Sequence, residues 1–336
     1  MTHAHAPLPG SGFHMADVRR KRPSPRRAVA VGELSAGPVA FAAIVERRLP
    51  KGDALALAEV AGLQGAKHAS TLLPLCHPLP LEFVELRCMP VPERHAIRVY
   101  CEVTTEARTG VEMEALAGVN AALLTLYDLA KPVEPALSIG GIRLLFKEGG
   151  KKGLWLHSDG MSDSEHACYR PHAMPRLEGW RAAVLTLSDW ASLGVYEDLS
   201  GPVLVAALRR LGTDVGAAEV MADESEPLIE RLRALARDGV GLVLATGGTG
   251  LGPRDVTPEA LAQVATRRVP GLAELFRSES RHYTPLAWLS RAEAVLVGDM
   301  LVVSLPGSPR AVMQAMEILA PLLAHARAMI SGGAHP

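Results

Sequence analysis

The chain is poor in aromatic residues, which make up 4% of its 336 positions. Its cores must therefore be built mainly from Leu, Val and Ala. Cysteine is scarce as well: Cys76, Cys88, Cys101 and Cys168 form no CxxC pair and read as reduced thiols of a cytosolic protein. The opening MTHAHAPLPGSGFHM lacks the apolar run of a secretory signal, and no uncharged apolar run approaches the length of a membrane span. An excess of positive charge is missing too. The formal net charge of -1 argues against a broad nucleic-acid-binding surface, while leaving room for a small anionic ligand held by a few local cations.

What is present suits an ordinary globular protein, 48% hydrophobic and 21% charged, with a length that suggests two domains. The polar, Gly- and Pro-broken stretch HSDGMSDSEHACYRPHAMPRLEG predicts a linker over 156–178, between a domain over 1–155 and another over 179–336. Residues up to about 25, with the basic run RRKRPSPRR, read as a solvated arm. The core of the first half is expected to start at VAFAAIVERRLP. An Ala-rich helix over Gly52 to His68, strands in LEFVELRCMP and AIRVYCEVTTEA, a long helix in VEMEALAGVNAALLTLYDLAKPV and a strand in IRLLFKE predict an α+β sandwich, with helices on one face of an antiparallel sheet. The second half reads βαβαβα through RAAVLTLSD, SGPVLVAALRRLG, AAEVMADES, EPLIERLRALARDG, GVGLVLATGG and PEALAQVATR. Two later strands and a last helix follow. This rhythm predicts an α/β fold of three layers, with a mostly parallel sheet covered on both faces.

In such a sheet, ligands gather at the carboxyl ends of the strands. LSDWASLG, MADES, ATGGTGLGPRDVTPEA and SLPGSPRA all fall there. In the third, Gly247, Gly248, Thr249, Gly250 and Gly252 precede Arg254, Asp255 and Thr257. Glycines allow backbone N–H groups to approach an anion closely. The segment lacks the Lys-Ser/Thr ending of a Walker A loop and the GxGxxG dinucleotide pattern. A plain structural turn would also use glycines, but Arg254, Asp255 and Thr257 at the same strand end favour a site. Asp223 and Asp255 are a carboxylate pair suited to Mg²⁺ beside phosphates, and each alone could also be a helix cap. Ser188 and Asp189 could cap or touch ligand. Gly307 and Ser308 fit either a second phosphate contact or a strand-to-helix turn.

In the first half, Lys51, Asp53, Lys67, His77, Glu112, Glu114, Asp128, Lys131, Lys147 and Lys151 are the polar residues near glycines, helix ends or apolar runs. Asp128 and Lys131 share a helix face, as a surface ion pair or as working groups. A lysine beside other cations or in a dry pocket can serve as a base, and a charged one can hold a phosphate. Glu112 and Glu114 do not share a face, and the helix N-terminus explains either blandly.

Two resemblances assign these residues. LSDWASLGVYEDLSGP, ADES, TGGTGLGPRDVTPEA, VPGLAELFR, LSRA and SLPGSPRAV resemble the molybdopterin adenylyltransferase (MogA/MoaB-like) family over about residues 180–330. That implies a molybdopterin-binding fold, adenylation of molybdopterin with MgATP, and pterin-phosphate recognition around the glycine loop. It puts Asp223 and Asp255 at the metal and transfer centre, with no redox cofactor. Where the family often has a basic residue after its first aspartate, Trp190 follows Asp189. HMADV, KGDALALAEVAGLQGAKHASTLLPLCHPLPL, TGVEMEALAGVNAALLTLYDLAK and KEGGKKG resemble the cyclic pyranopterin monophosphate synthase (MoaC) family over residues 14 to about 153. That implies a ferredoxin-like fold and a homo-oligomer, a hexamer built from dimers with each pocket at a subunit interface. The implied reaction converts 3',8-cyclo-7,8-dihydro-GTP to cyclic pyranopterin monophosphate and pyrophosphate. Lys51 and Lys131 would carry the acid–base work, with Asp128 and His77 in the same pocket. Lys21, Arg26, Lys67 and Lys147 would face the triphosphate, and Glu112, Met113 and Glu114 the pterin end. AGV, DLAK and Pro25 depart from the usual LTA, DMCK and Thr while leaving Asp128 and Lys131 in place.

The leading expectation is thus a cytoplasmic two-domain enzyme of molybdenum cofactor synthesis acting on small molecules. The alternative is one catalytic domain joined to a pterin-binding or scaffolding module. In TLLPLCHPLPLE, adjacent Cys76 and His77 point to opposite sides of an extended segment. His77 is the expected pocket partner and Cys76 a small residue of its wall, neither thiol nucleophile nor zinc ligand.

Overall fold

The computed structural model describes residues 12–150, 153–173 and 175–333. The chain divides into two compact units, residues 1–173 and 174–336. Residues 12–23 carry no helix or strand. The first unit then runs β1 (Ser24–Ser35), α1 (Gly37–Val45), α2 (Ala54–Lys67), α3 (Ala69–Leu72), β2 (Phe83–Val91), β3 (Ala96–Ala107), α4 (Glu112–Ala130), β4 (Ser138–Glu148), β5 (Trp155–Leu156) and α5 (Asp163–Tyr169). The strands form one sheet in the order β2-β3-β1-β4-β5, every pairing antiparallel.

Helices α2 and α4 pack on one face, over a core of Leu34, Ile97, Val99, Leu123 and Leu126. Asp53 caps α2, its carboxylate accepting from the Ala56 N–H at 3.2 Å. The two helices approach closely because glycine stands where they cross. A Cβ on Gly65 would lie 2.4 Å from the Ala121 Cβ, and one on Gly118 3.2 Å from the Gly62 carbonyl oxygen.

Two departures from the expected layout are linked. The core begins earlier than Val39, because Ser24–Ser35 is a central strand between β3 and β4. Ala28, Val29, Ala30 and Val31 are all buried, so the strand shows no alternation and its period is hidden. What buries the second face is part of the expected linker. Trp155–Leu156 pairs with β4, and α5 follows, capped reciprocally by Ser162 and Glu165. Tyr169 packs with Val29, Val31, Tyr100, Leu145 and Phe146. The Tyr100 hydroxyl donates to Glu165 at 2.9 Å, and the Arg27 guanidinium donates to the Tyr169 carbonyl at 2.7 Å. This strap belongs to the first unit. Tyr169→Ala is expected to cost about 3 kcal/mol, in line with emptying a buried aromatic site, read as a fall in the urea midpoint of the first unit.

The second unit runs β6 (Arg181–Leu187), α6 (Asp189–Ser192), α7 (Ser200–Arg210), β7 (Asp214–Met221), α8 (Ser225–Arg237), β8 (Leu242–Thr246), α9 (Thr257–Val264), β9 (Arg267–Arg268), α10 (Pro270–Ser280), β10 (Ala294–Val297), β11 (Met300–Leu305) and α11 (Pro309–Ile330). Strand order is β7-β6-β8-β11-β10-β9. The pairings among β7, β6, β8 and β11 are parallel, and those of β10 and β9 antiparallel. One face is covered through Leu204, Leu208, Phe276 and Met316, the other through Leu228, Leu232 and Leu261. From β6 the chain steps outward to β7, then returns across β6 to β8. The reversal leaves a crevice at the carboxyl ends of β6 and β8, where the glycine-rich segment begins.

Candidate active sites

In the first unit, α4 carries one polar group at each end. At its C-terminal end Asp128 accepts from Lys51 at 3.0 Å and from Lys131 at 2.7 Å. Lys51 arrives from the turn after α1, and Lys131 caps α4 through its own N–H to the Tyr127 carbonyl. All three side chains are about half exposed. Hydrogen bonds from Lys131, then Lys51, hold the Asp128 carboxyl below its ordinary range, and Asp128 holds Lys131 up. In the unliganded chain Lys131 is thus a firm cation. For it to act as a base, Asp128 would have to be drawn away or the pair dried.

At the N-terminal end the Cys76 thiol faces Glu114 at 3.7 Å, and Lys147 pairs with Glu112 at 2.5 Å. Glu114 is buried, and its second oxygen meets no partner among the described residues. Burial pushes the Glu114 carboxyl up, and burial beside Glu114 does the same to the Cys76 thiol. A raised carboxyl contributes stability that is complete below its unfolded value and lost as pH rises through the folded one. Glu114→Gln is therefore expected to raise the melting temperature at about pH 8, with the gain closing as pH falls to about 4. Thermal melts across that range check it.

His77 is half-buried in the segment before β2, and Met113 is exposed on the first turn of α4. The Arg26 Nε donates to the Ala107 carbonyl at 3.2 Å. Lys21 and Lys67 are exposed. Lys151 lies outside the described residues. Glu114 and Asp128 are fourteen positions apart on α4, roughly 21 Å at 1.5 Å per residue. Within a single chain Glu114, with Cys76 against it, therefore stands at the opposite end of α4 from Asp128 and its two lysines.

The second unit gathers its motif residues in one cleft of 860 Å³, lined by Ser188, Asp189, Asp223, Gly247 to Gly250, Arg254, Asp255, Gly307 and Ser308. Asp189 and Asp223 exchange backbone bonds, each N–H donating to the other's carboxylate at 3.0 Å. Arg254 grips Asp189 with two bonds, at 2.9 and 2.7 Å, and holds its carboxyl low. Asp223 is shifted the other way. Burial pushes it up against the hydrogen bond from Asp189, and the charges of Asp189 and Asp255 add to the rise. Its Oδ1 has no partner among the described residues.

The glycine loop borders the cleft with a run of free backbone amides. Gly247 and Gly248 have φ of +106° and +59°, a region glycine enters freely. The Thr257 hydroxyl donates to the Gly247 carbonyl at 3.0 Å, and the Thr257 N–H to the Gly248 carbonyl at 3.1 Å. The amides of Gly248, Thr249, Gly250 and Leu251 donate to no acceptor among the described residues. Successive unpaired N–H groups of this kind form an anion nest. Ser188 and Ser308 both act as helix caps, toward Ala191 and Ala311, and Ser188 also meets the Tyr196 hydroxyl at 2.8 Å. The Gly307 carbonyl accepts from Ser200 at 2.7 Å.

Three contributors carried no individual assignment from the sequence. Asp198 ties Thr186 to the start of α7, Tyr196 steadies Ser188, and Arg291 binds the back of the glycine loop. Each lies inside or beside a motif segment, but nothing in its spacing marks a role.

Residues 15–150 match the MoaC family, and residues 183–325 match a family described as a probable molybdopterin binding domain. The molybdenum cofactor biosynthesis bifunctional protein of Synechococcus elongatus is 42% identical, across 96% of this chain and 98% of its own. The chain belongs to the family of bifunctional molybdenum cofactor biosynthesis proteins. The cyclic pyranopterin monophosphate synthase of Dinoroseobacter shibae is 46% identical over 42% of this bifunctional chain and 89% of its own. The crystal structure of the molybdopterin biosynthesis enzyme MoaB from Thermus thermophilus is 40% identical, covers 46% of this chain and 97% of its own, and has a TM-score of 0.43.

Among the described residues of this bifunctional protein no helix is long and apolar enough to cross a membrane, and no three His, Cys, Asp or Glu side chains form a metal cluster. Mg²⁺ beside phosphates needs only one or two carboxylates, its other positions being water and phosphate oxygen. The buried, unpartnered Asp223 oxygen, with Asp255 near enough to repel it, fits such an ion.

Proposed function

We propose that this chain catalyses two separate reactions of molybdenum cofactor synthesis, one in each unit. The first converts 3',8-cyclo-7,8-dihydro-GTP to cyclic pyranopterin monophosphate and pyrophosphate. The second transfers AMP from ATP to the phosphate of molybdopterin, releasing pyrophosphate. The observation that carries the reading is the co-occurrence, in a chain related over its length to bifunctional proteins, of the Lys51–Asp128–Lys131 cluster and an anion nest beside Asp223 and Asp255.

In the first reaction Lys51 and Lys131 carry the proton transfers, with Asp128 and His77 in the same pocket, and the triphosphate is met by other cations. Lys21, Arg26, Lys67 and Lys147 add positive charge, and Glu112, Met113 and Glu114 line the pterin end. With the two groups on α4 roughly 21 Å apart, one complete pocket takes its parts from two copies of the chain. This supports a homo-oligomer with sites between subunits. The strand order β2-β3-β1-β4 with a helix after β1 and another after β3 supports a ferredoxin-like class for this unit.

In the second reaction the amides of the glycine loop and Arg254 receive phosphate oxygens, Ser308 lines the cleft, and buried Thr257 holds the loop from behind instead of touching ligand. A phosphate oxygen of molybdopterin attacks the α-phosphorus of ATP, and the bond from that phosphorus to the bridging oxygen breaks. Asp223 and Asp255 would hold Mg²⁺, which screens phosphate charge when bound. A cytoplasmic setting completes the reading.

The test uses the purified full chain, incubated with the cyclo-GTP intermediate and separately with molybdopterin and MgATP. Both products are expected. Product in one assay only would overturn the bifunctional reading.

A further inference from the structure

A loop that offers its N–H groups to an anion must turn its carbonyls away, and those carbonyls need donors of their own. In the segment 247–255 the donors are identifiable. Thr257 serves Gly247 and Gly248, and the Asp255 N–H serves Gly252 at 3.1 Å. Arg291 serves the remaining three that are paired. Its N–H donates to the Thr249 carbonyl at 2.9 Å, its Nε to Gly250 at 2.7 Å and its Nη2 to Asp255 at 2.5 Å. Its other Nη atom pairs with Glu259, at the start of α9. Arg291 does not line the cleft; it lines a separate shallow hollow with Pro258, Glu259 and Arg268.

We propose that Arg291 is a positioning residue, a planar fork that pins the Gly250 and Asp255 carbonyls and so holds the amides of Gly248 to Leu251 toward the cleft. Only the identity of the anion, a nucleotide or pterin phosphate, rests on the adenylyl-transfer reading. Lysine cannot replace the fork. Its ammonium is a point donor and lacks the fixed planar spread that meets two carbonyls at once.

The experiment titrates the full chain with inorganic pyrophosphate in the presence of Mg²⁺ and follows amide exchange over residues 252–257, whose N–H groups at Gly252, Asp255 and Thr257 are bonded within the loop. In Arg291→Ala, pyrophosphate is expected to bind about tenfold or more weakly, equivalent to about 1.4 kcal/mol, and exchange over 252–257 to accelerate. Added guanidinium ion should restore part of both. Arg291→Lys, which keeps the charge, is expected to fall between. A folded Arg291→Ala with wild-type affinity and wild-type exchange would overturn the assignment. If Arg291→Ala does not fold, Arg291→Lys decides: weaker binding at an unchanged melting temperature supports the fork, and wild-type affinity removes it. If the wild-type chain binds no pyrophosphate and forms no adenylated product, the adenylyl-transfer reading fails, and the exchange rates still settle the role of Arg291.

Discussion

Lys131→Ala is expected to lower cyclic pyranopterin monophosphate formation by about two to four orders of magnitude, the usual share of a positioned acid or base. Adenylyl transfer by the same protein should be intact. The first expectation follows from the place of Lys131 at the C-terminal cap of α4, bonded to Asp128 together with Lys51. The second follows from the division of the chain, since the adenylyl-transfer residues all lie beyond residue 174. Stability should barely change, because the ion pair is about half exposed and such pairs contribute little. Lys131→Arg separates two meanings of the loss. Arginine keeps the charge but does not give up its proton. If Lys131 only holds phosphate, Arg restores much of the rate; if it moves protons, Arg does not. Steady-state assays of both reactions on the three proteins check this, and loss of both activities in a folded Lys131→Ala would count against the separation of the sites.

Two kinds of element were legible in the sequence: helices of strong local propensity with a cap, and continuous apolar strands bounded by turn residues and alternating with helices. The helix over Gly52 to His68 appears as α2 with Asp53 at its cap, and the βαβαβα rhythm appears as the parallel core of the second unit. Strand β1 escaped because its apolar run, Ala28 to Val31, is short, lacks alternation and directly follows the basic segment RRKRPSPRR, which reads as an arm. The strap escaped for a related reason. The one buried apolar residue of α5, Tyr169, is surrounded by polar residues that read as linker. A similar logic applies to the sites. The glycine loop is contiguous, so its chemistry could be read from one segment. Asp128 and Lys131 are three apart and share a face, but Lys51 is 77 positions from Asp128, and only the fold brings it there. Cys76 and Glu114 meet in the same way. Their distance from Asp128 along α4 is a fact of helix length that a list of motif residues does not contain.

Gly247→Ala is expected to cost about 2–4 kcal/mol in the second unit and to reduce adenylyl transfer by about a hundredfold or more. The backbone there has φ of +106°, which an alanine adopts only with strain of about 1–3 kcal/mol. Space is the larger obstacle. A Cβ on Gly247 would stand 2.0 Å from the Leu187 carbonyl oxygen, the last residue of β6. Neither side can yield easily. The Gly247 N–H is bonded to the Leu305 carbonyl at 2.9 Å and its own carbonyl to Thr257 at 3.0 Å, so the residue is fastened to β11 and α9 while it faces β6. Relief comes only by lifting the loop, which displaces the free amides of residues 248–251 from the cleft. Loss of a single such donor typically costs a hundredfold or more in rate. Gly271→Ala is the matched comparison. Gly271 lies in the first turn of α10 with open space around its missing Cβ, and the change there should stabilise by about 0.4–1 kcal/mol. Urea unfolding and both activity assays on the two variants decide the matter. A Gly247→Ala protein with normal adenylyl transfer would show that the loop does not depend on its glycine contact with β6, and that the phosphates are held elsewhere. Cyclic pyranopterin monophosphate formation should survive in both variants, because the strand ends that hold Gly247 belong to the second unit alone.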